Sequence, residues 1–239
     1  MFTGIDLAAD PRRTGVATLR DEGAAIVVSD VHVGADDDDV IAHVAASTKA
    51  GVDVPFGWPR AFTQLIMAHR AGTLEPPADT GPDWRREVLF RATDREVRRR
   101  VGKVPLSVAS DKIAYPAIRW AGIAARLRAD GTPTPLDGSG RACEVYPGGA
   151  LAVWGLPHAK YKGPQAAEVR RRLVERLAER LPSLDWGGHR DSCIADDNAL
   201  DAVIAALIAR AVARGEAVPP PPELSEEAAA EGWIWLPAS

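Results

Sequence analysis

The sequence predicts an α/β fold, a mixed sheet flanked by helices and interrupted by a helical insertion. Three observations predict it. Up to Pro59 the chain reads strand, strand, strand, helix, strand. The second half holds one amphipathic and one wholly apolar helical segment, preceded by a further strand. Four segments that otherwise read as buried each carry a single carboxylate.

Residues 2–8 (FTGIDLA) read as a short strand, and the ADPRRTG that follows is a turn by its Pro, Asp and Gly content. Residues 15–20 (GVATLR) and 25–33 (AIVVSDVHV) read as two more strands joined by DEG, so the opening is an antiparallel meander. Asp36 to Asp39 precede the apolar-periodic VIAHVAASTKA; acids at that place suit the positive end of a helix dipole, so they read as a helix start rather than a metal site. GVDVPFGWP reads as a buried-type strand closed by two prolines.

Residues 60–105 differ in character. They are helical in pattern and broken by LEPPADTGPD, and from Trp84 to Lys103 eight Lys or Arg stand against three acids. This reads as a basic helical insertion in a single domain spanning 1–239. Residues 107–129 read as mainly helical, with Pro116 interrupting or starting a helix. GTPTPLDGSG is a loop and residues 141–147 (RACEVYP) a strand. GPQAAEVRRRLVERLAERLPSLD is an amphipathic helix, with Val169, Leu173, Leu177 and Leu181 at four-residue steps. Residues 198–213 are apolar nearly all round, which implies a helix buried on both sides. VPPPPEL is a linker, and residues 225–236 give a short helix and a final strand.

With 239 residues, 46% of them hydrophobic and 26% charged, the chain has material for one large core. No apolar run approaches the ~18–20 residues of a membrane span, so no membrane partner is expected. The opening MFTGIDLAAD has an acid and no basic start, unlike a secretory signal. Cys143 and Cys193 form no CxxC spacing, so neither a disulfide framework nor a zinc site is expected, and a reducing cytoplasm is the simplest compartment. A net charge of −4 argues against constitutive coating of nucleic acid, whose affinity comes mainly from Lys and Arg neutralising phosphates. It does not argue against a nuclease, which gathers acids in its site and places basic residues elsewhere.

The out-of-place acids are Asp6 in the first strand, Asp53 in GVDVPFG, Glu144 in ACEVYP and Asp201 in NALDAVIAALIA. A buried carboxylate costs several kcal/mol or more unless it is paired or bound to a cation. Four on separate elements point to a hard-metal site, and oxygen ligands of this kind select Mg²⁺ or Mn²⁺ over zinc. Asp197 lies four residues before Asp201, so both could project from one helix face; capping and metal binding are equally open to it, while Asp196 stands where an N-cap belongs. Glu144 is the weaker candidate, since Arg141 and Tyr146 could satisfy it, and His189 in WGGHRDS reads as incidental.

In order along the chain, GIDLAADPRRTGVA, GVDVPFGWP, RATDREVR, PLSVASDKI, CEVYPGGALAVWGLP, KYKG, DDNALDAVIAALIARA and EGWIWLP together resemble an uncharacterised family, number 429 among the domains of unknown function, described as predicted nucleases of the ribonuclease H fold. The resemblance covers nearly the whole chain. It implies a ribonuclease H-like, RuvC-like fold with a mixed five-stranded sheet. It also implies an acid on the first strand, matched by Asp6, one on the fourth strand or a nearby helix, matched by Asp53 at the fourth-strand position, and one or two on a late helix, matched by Asp201 and less closely by Asp197. Glu144 belongs to the family's own motif.

The function this implies is phosphodiester hydrolysis by two Mg²⁺ or Mn²⁺ ions, with Asp6 shared and Asp53, Asp201 and either Asp197 or Glu144 completing the cage. Arg98, Arg99, Arg100 and Lys103 in the insertion, with Lys160 and Lys162 in KYKG, would hold the phosphates of DNA or RNA. The arginines of Arg170–Arg180, interleaved with Glu168, Glu175 and Glu179, read as a solvated face. Two other classes stay open. GIDLAADPRRTGVA also resembles the first phosphate loop of the actin and sugar-kinase branch, which would make the chain a phosphotransferase or ATP-binding protein, although Gly148–Gly149 lacks the usual Asp-x-Gly setting. The third class is a nucleic-acid-binding protein without catalysis.

Overall fold

The first strand, β1 (Phe2–Asp6), lies at the centre of a sheet, and its two neighbours explain the rest of the architecture. β2 (Gly15–Glu22) pairs with it antiparallel and β3 (Ala25–Val33) pairs antiparallel with β2, which is the expected meander. On its other side β4 (Lys49–Val52) runs parallel, followed by β5 (Ala142–Val145), also parallel. The computed structural model describes residues 1–239. The sheet has seven strands, not five: two-residue strands β6 (Leu184–Asp185) and β7 (Ile234–Trp235) extend it at either edge, giving the order β6-β3-β2-β1-β4-β5-β7. Strands this short carry no periodicity of their own; β6 sits in what reads as the tail of a helix.

β4 begins earlier than its sequence suggests. The preceding helix α1 (Asp37–Ala46) stops at Ser47, so Lys49 and Ala50 are strand residues. β4 ends at Val52, whose partners are Ile5 on β1 and Glu144 on β5, one residue before those strands end. Asp53 therefore stands just past the strand rather than inside it. The acids before α1 act as helix-start chemistry predicts: Asp36 accepts from the backbone N–H groups of Asp38 and Asp39 at 2.9 Å each, and Asp39 returns a bond to the Asp36 N–H.

Two layers of helix cover the sheet. On one face α1 and α5 (Asp111–Ala129) bury Val40, Val44, Trp120, Ile123 and Leu127 against Ile5, Val16 and Val52. Pro116 lies inside α5, whose helix runs through it. On the other face α7 (Ala167–Arg180) and α9 (Asp197–Ala213) pack against Phe2, Ala17, Leu19 and Val145. Two further helices, α6 (Pro147–Val153) and α8 (Arg190–Ala195), are short and have no separate sequence signature.

The insertion comprises α2 (Arg60–Ala71), α3 (Pro82–Leu89) and α4 (Ala92–Val101), and it is tied to the body by charge. Glu231, at the end of α10 (Ser225–Glu231), accepts from the first N–H of α2 at Arg60, 2.8 Å, and of α4 at Ala92, 2.9 Å. One carboxylate thus serves two helix N-termini, where unsatisfied donors and dipoles favour an anion. No helix is long and apolar enough to cross a membrane.

Candidate metal centre

The site is built by close approach of α9 to the sheet. A Cβ at Gly4 would lie 1.9 Å from the Ala202 carbonyl oxygen, and one at Gly51 would lie 2.5 Å from that of Ala205. Only glycine admits the helix backbone there. Side chains alternate along a strand, so the residues two steps on, Asp6 and Asp53, share the face that Gly4 and Gly51 give to α9. The parallel register brings these acids side by side at the carboxyl ends of β1 and β4, and the Asp53 N–H donates to the Ile5 carbonyl at 2.8 Å. Asp201, one turn into α9 and fully buried, completes the group.

One carboxylate oxygen from each of Asp6, Asp53 and Asp201 lies within 4.8 Å of the others. Burial is the main force on all three and pushes their pKa values up, for Asp53 to about 7; their mutual repulsion adds to it. The opposing force is Lys162, whose ammonium donates to Asp201. Burial works against the charged form of Lys162, but Asp201, Asp6 and Asp53 outweigh it and hold its pKa above the usual lysine range. Tyr161 donates to the other Asp201 oxygen at 2.9 Å. Burial, followed by the Asp201 charge, lifts the Tyr161 phenol well above its ordinary value, so it stays a donor.

Two residues of KYKG, Tyr161 and Lys162, therefore serve the acids. Lys160 has a left-handed backbone, φ 62°, and its side chain is exposed. Lys162, expected on a phosphate-binding surface, instead directs its ammonium into the acid group from a side chain that is 53% exposed. Behind the loop stands Arg170, which is wholly buried and donates to the carbonyls of Tyr161 (2.9 Å), Gly163 (2.7 Å), Ile194 (2.8 Å) and Ala195 (2.8 Å). It braces KYKG against the turn that opens α9. Arg170 is thus buried, not on the solvated face that its interleaving with Glu168, Glu175 and Glu179 suggests. Its spacing said otherwise: three residues before Leu173 and four before Val174, it falls on the apolar stripe.

The remaining expected residues lie elsewhere. Asp196 is the N-cap of α9, accepting from the Asn198 N–H at 2.7 Å. Asp197 stands beside the group, its carboxylate taken by the Gly163 N–H at 2.9 Å. Glu144 is not brought into it. Both its oxygens are held by Arg91, at 2.7 and 2.8 Å, and one also accepts from the Phe56 N–H at 2.9 Å; Arg91 pairs in turn with Asp94 at 3.0 Å. Neither Arg141 nor Tyr146 satisfies it. His189 stands at the start of α8, outside the group.

The insertion's arginines are less free than their sequence suggests. Arg99 is held by Glu96 at 2.5 and 2.8 Å, and Arg100 donates to the carbonyls of Pro237 and Ala238 at 2.6 and 3.0 Å. The Arg98 side chain has no ion-pair or hydrogen-bond partner, although its carbonyl accepts from the Gly102 N–H, and Lys103 lies over the Tyr146 ring at 5.6 Å. Gly148 and Gly149 are buried at the start of α6, where a Cβ on Gly149 would meet the Tyr146 ring at 2.6 Å. They are packing glycines, not an open phosphate loop.

No curated protein and no solved structure matches the chain. A family model described as "Protein of unknown function (DUF429)" matches residues 4–225, and the chain belongs to that family.

Proposed function

We propose that the protein is a divalent-metal-dependent nuclease on a ribonuclease H-like, RuvC-like framework. The observation that carries this reading is the convergence of Asp6, Asp53 and Asp201 from the ends of two parallel strands and a late helix into one group. That is the distribution of acids that the resemblance drawn from the sequence implies. The donor set consists of carboxylates only, which suits Mg²⁺ or Mn²⁺. Its charge fits as well: burial favours the protonated acids, and a divalent cation that displaced those protons would meet three carboxylates and the Lys162 ammonium, a net −2.

A bound ion would supply Lewis-acid stabilisation of the phosphate and an acidified water. The chain's own residues supply orientation. Tyr161 and the burial of Asp201 fix one carboxylate, and the β1–β4 register fixes the other two. Lys162 holds the place of a cation among them. Charge balance with Lys162 in position accommodates one divalent ion; a two-ion mechanism requires its ammonium to withdraw, and a half-exposed side chain has that freedom. At the rim it would meet a phosphate, the role its sequence suggested.

The test is cleavage of labelled DNA and RNA, single-stranded, duplex and branched, with Mg²⁺, Mn²⁺ or chelator. The expected result is cleavage that needs the metal and is lost in Asp6→Asn and Asp201→Asn. Cleavage undiminished by chelator, or no cleavage of any substrate by protein that has bound Mn²⁺, would overturn the reading.

A further inference from the structure

We propose that Asp30, His32 and His43 form a second metal site, of the zinc class, on the opposite face of the sheet from the acid group. A ring nitrogen of each histidine and a carboxylate oxygen of Asp30 lie within 4.8 Å of one another, and all three residues are half-buried. The face follows from the packing. His43 belongs to α1, which covers the α5 side, whereas Asp6 and Asp53 face α9.

A β-bulge puts the strand residues there. Thr18 pairs with Asp30 and Leu19 with Val28, which leaves Ser29 as an extra residue on β3. Strict alternation would place Asp30 and His32 on the same face as Ile26 and Val28, in the core under α9. The bulge reverses the alternation: Val31 takes over that packing, and Asp30 and His32 turn to α1. Bulges commonly re-aim side chains in this way beside functional sites.

The histidines are set for ligation. The Nδ1 of His43 lies 2.8 Å from the Asp39 carbonyl oxygen, which only accepts, so Nδ1 carries the proton and Nε2 keeps its lone pair. A metal-bound histidine usually has such a backbone or carboxylate partner on its other nitrogen. His32 Nδ1 is 2.9 Å from Asp30 Oδ2, and the two rings are 5.5 Å apart and tilted by 48°. Adjacent donors around a tetrahedral ion stand roughly 3.3–3.5 Å apart. The three donors lie within 4.8 Å of one another, so ligation needs the wider pairs to draw in by little more than about 1 Å.

Two imidazoles and one carboxylate suit Zn²⁺, Co²⁺ or Ni²⁺ rather than Mg²⁺. Three protein ligands leave a fourth position. Asp30 and His43 border an open cleft of about 360 Å³ that also contains Arg20, which makes no ion pair. A water or a small anion is the ligand chemistry that fits there.

The test uses protein without a histidine tag, saturated with Mg²⁺ to occupy the acid group. Zn²⁺ is titrated by calorimetry, and Co²⁺ by visible absorption, which reports four-coordinate geometry. The expected result is one equivalent bound, weakened at least tenfold in His32→Ala and in His43→Ala and unchanged in Asp6→Asn, with circular dichroism confirming that each variant folds. Absence of binding in the wild type, or equal affinity in both folded histidine variants, would overturn the site. Loss in Asp6→Asn alone would place the ion among the acids and overturn it equally. None of these outcomes depends on nuclease activity.

Discussion

Two groups of buried acids lie close together in this fold and are treated in opposite ways. At the base of the insertion, Glu144 and Asp94 face the guanidinium of Arg91, which meets both Glu144 oxygens and both Asp94 oxygens. At the strand ends, Asp6, Asp53 and Asp201 have a single ammonium among them. Burial raises the pKa of Glu144 as it does those of the three aspartates, and Arg91 opposes it at close range. Burial of an acid thus does not by itself mark a cation site. The shortfall of positive charge around it separates the two groups: every oxygen of Glu144 and Asp94 meets one guanidinium, whereas three aspartates share one ammonium, and the proposed metal site rests on that difference.

Breaking the arginine-paired group should have the largest effect. Arg91→Met leaves two buried carboxylates without a cation, and the expected loss is about 3–5 kcal/mol in urea unfolding, enough to threaten folding. A variant of near wild-type stability would show that the network is not what holds the insertion to β5.

Relieving the unbalanced group should stabilise the protein without metal. The Asp53 carboxyl is raised from 3.8 to about 7 on folding, so its contribution is fully favourable below pH 4 and is lost as pH rises through 7. Asp53→Asn removes that loss. Its melting temperature in chelator should match the wild type near pH 4 and exceed it at pH 8, by the equivalent of about 1 kcal/mol once the site's opening to water is allowed for. A difference independent of pH, or of opposite sign, would contradict the electrostatic contrast.

The smallest effect should come from the insertion's arginines. Three free phosphate contacts would change the log–log salt slope of nucleic-acid binding by about 2–3. Arg99 and Arg100 are already engaged, so the triple Gln variant of Arg98, Arg99 and Arg100 should change it by only about 1, read by anisotropy of a labelled oligonucleotide. A change of about 3 would mean that both release their partners on binding.

Much of this arrangement was legible in the sequence. The meander, α1 with its acidic start, the basic insertion and the apolar α9 follow from periodicity and capping. Asp6, Asp53 and Asp201 stood out because each interrupts an apolar run. One further signal was there to be read: Gly4-Ile5-Asp6 and Gly51-Val52-Asp53 repeat the same pattern, a glycine for the helix and an acid two residues on. The rest depends on contacts between distant segments. Arg91 and Glu144 are 53 residues apart, and no local pattern pairs an insertion arginine with β5. Lys162 read as a surface cation because nothing nearby in sequence shows that its loop folds over α9. The helix α6 opens with Pro and two glycines, poor formers whose conformation is set by burial under Tyr146 and Leu236.

The contrast between the two groups is tested most directly by Mn²⁺ calorimetry on Asp6→Asn and Glu144→Gln beside the wild type. The expected result is binding to the wild type, loss of at least tenfold in affinity for Asp6→Asn and no change for Glu144→Gln. Equal affinity in a folded Asp6→Asn variant, or a loss confined to Glu144→Gln, would contradict the assignment of the metal centre to Asp6, Asp53 and Asp201.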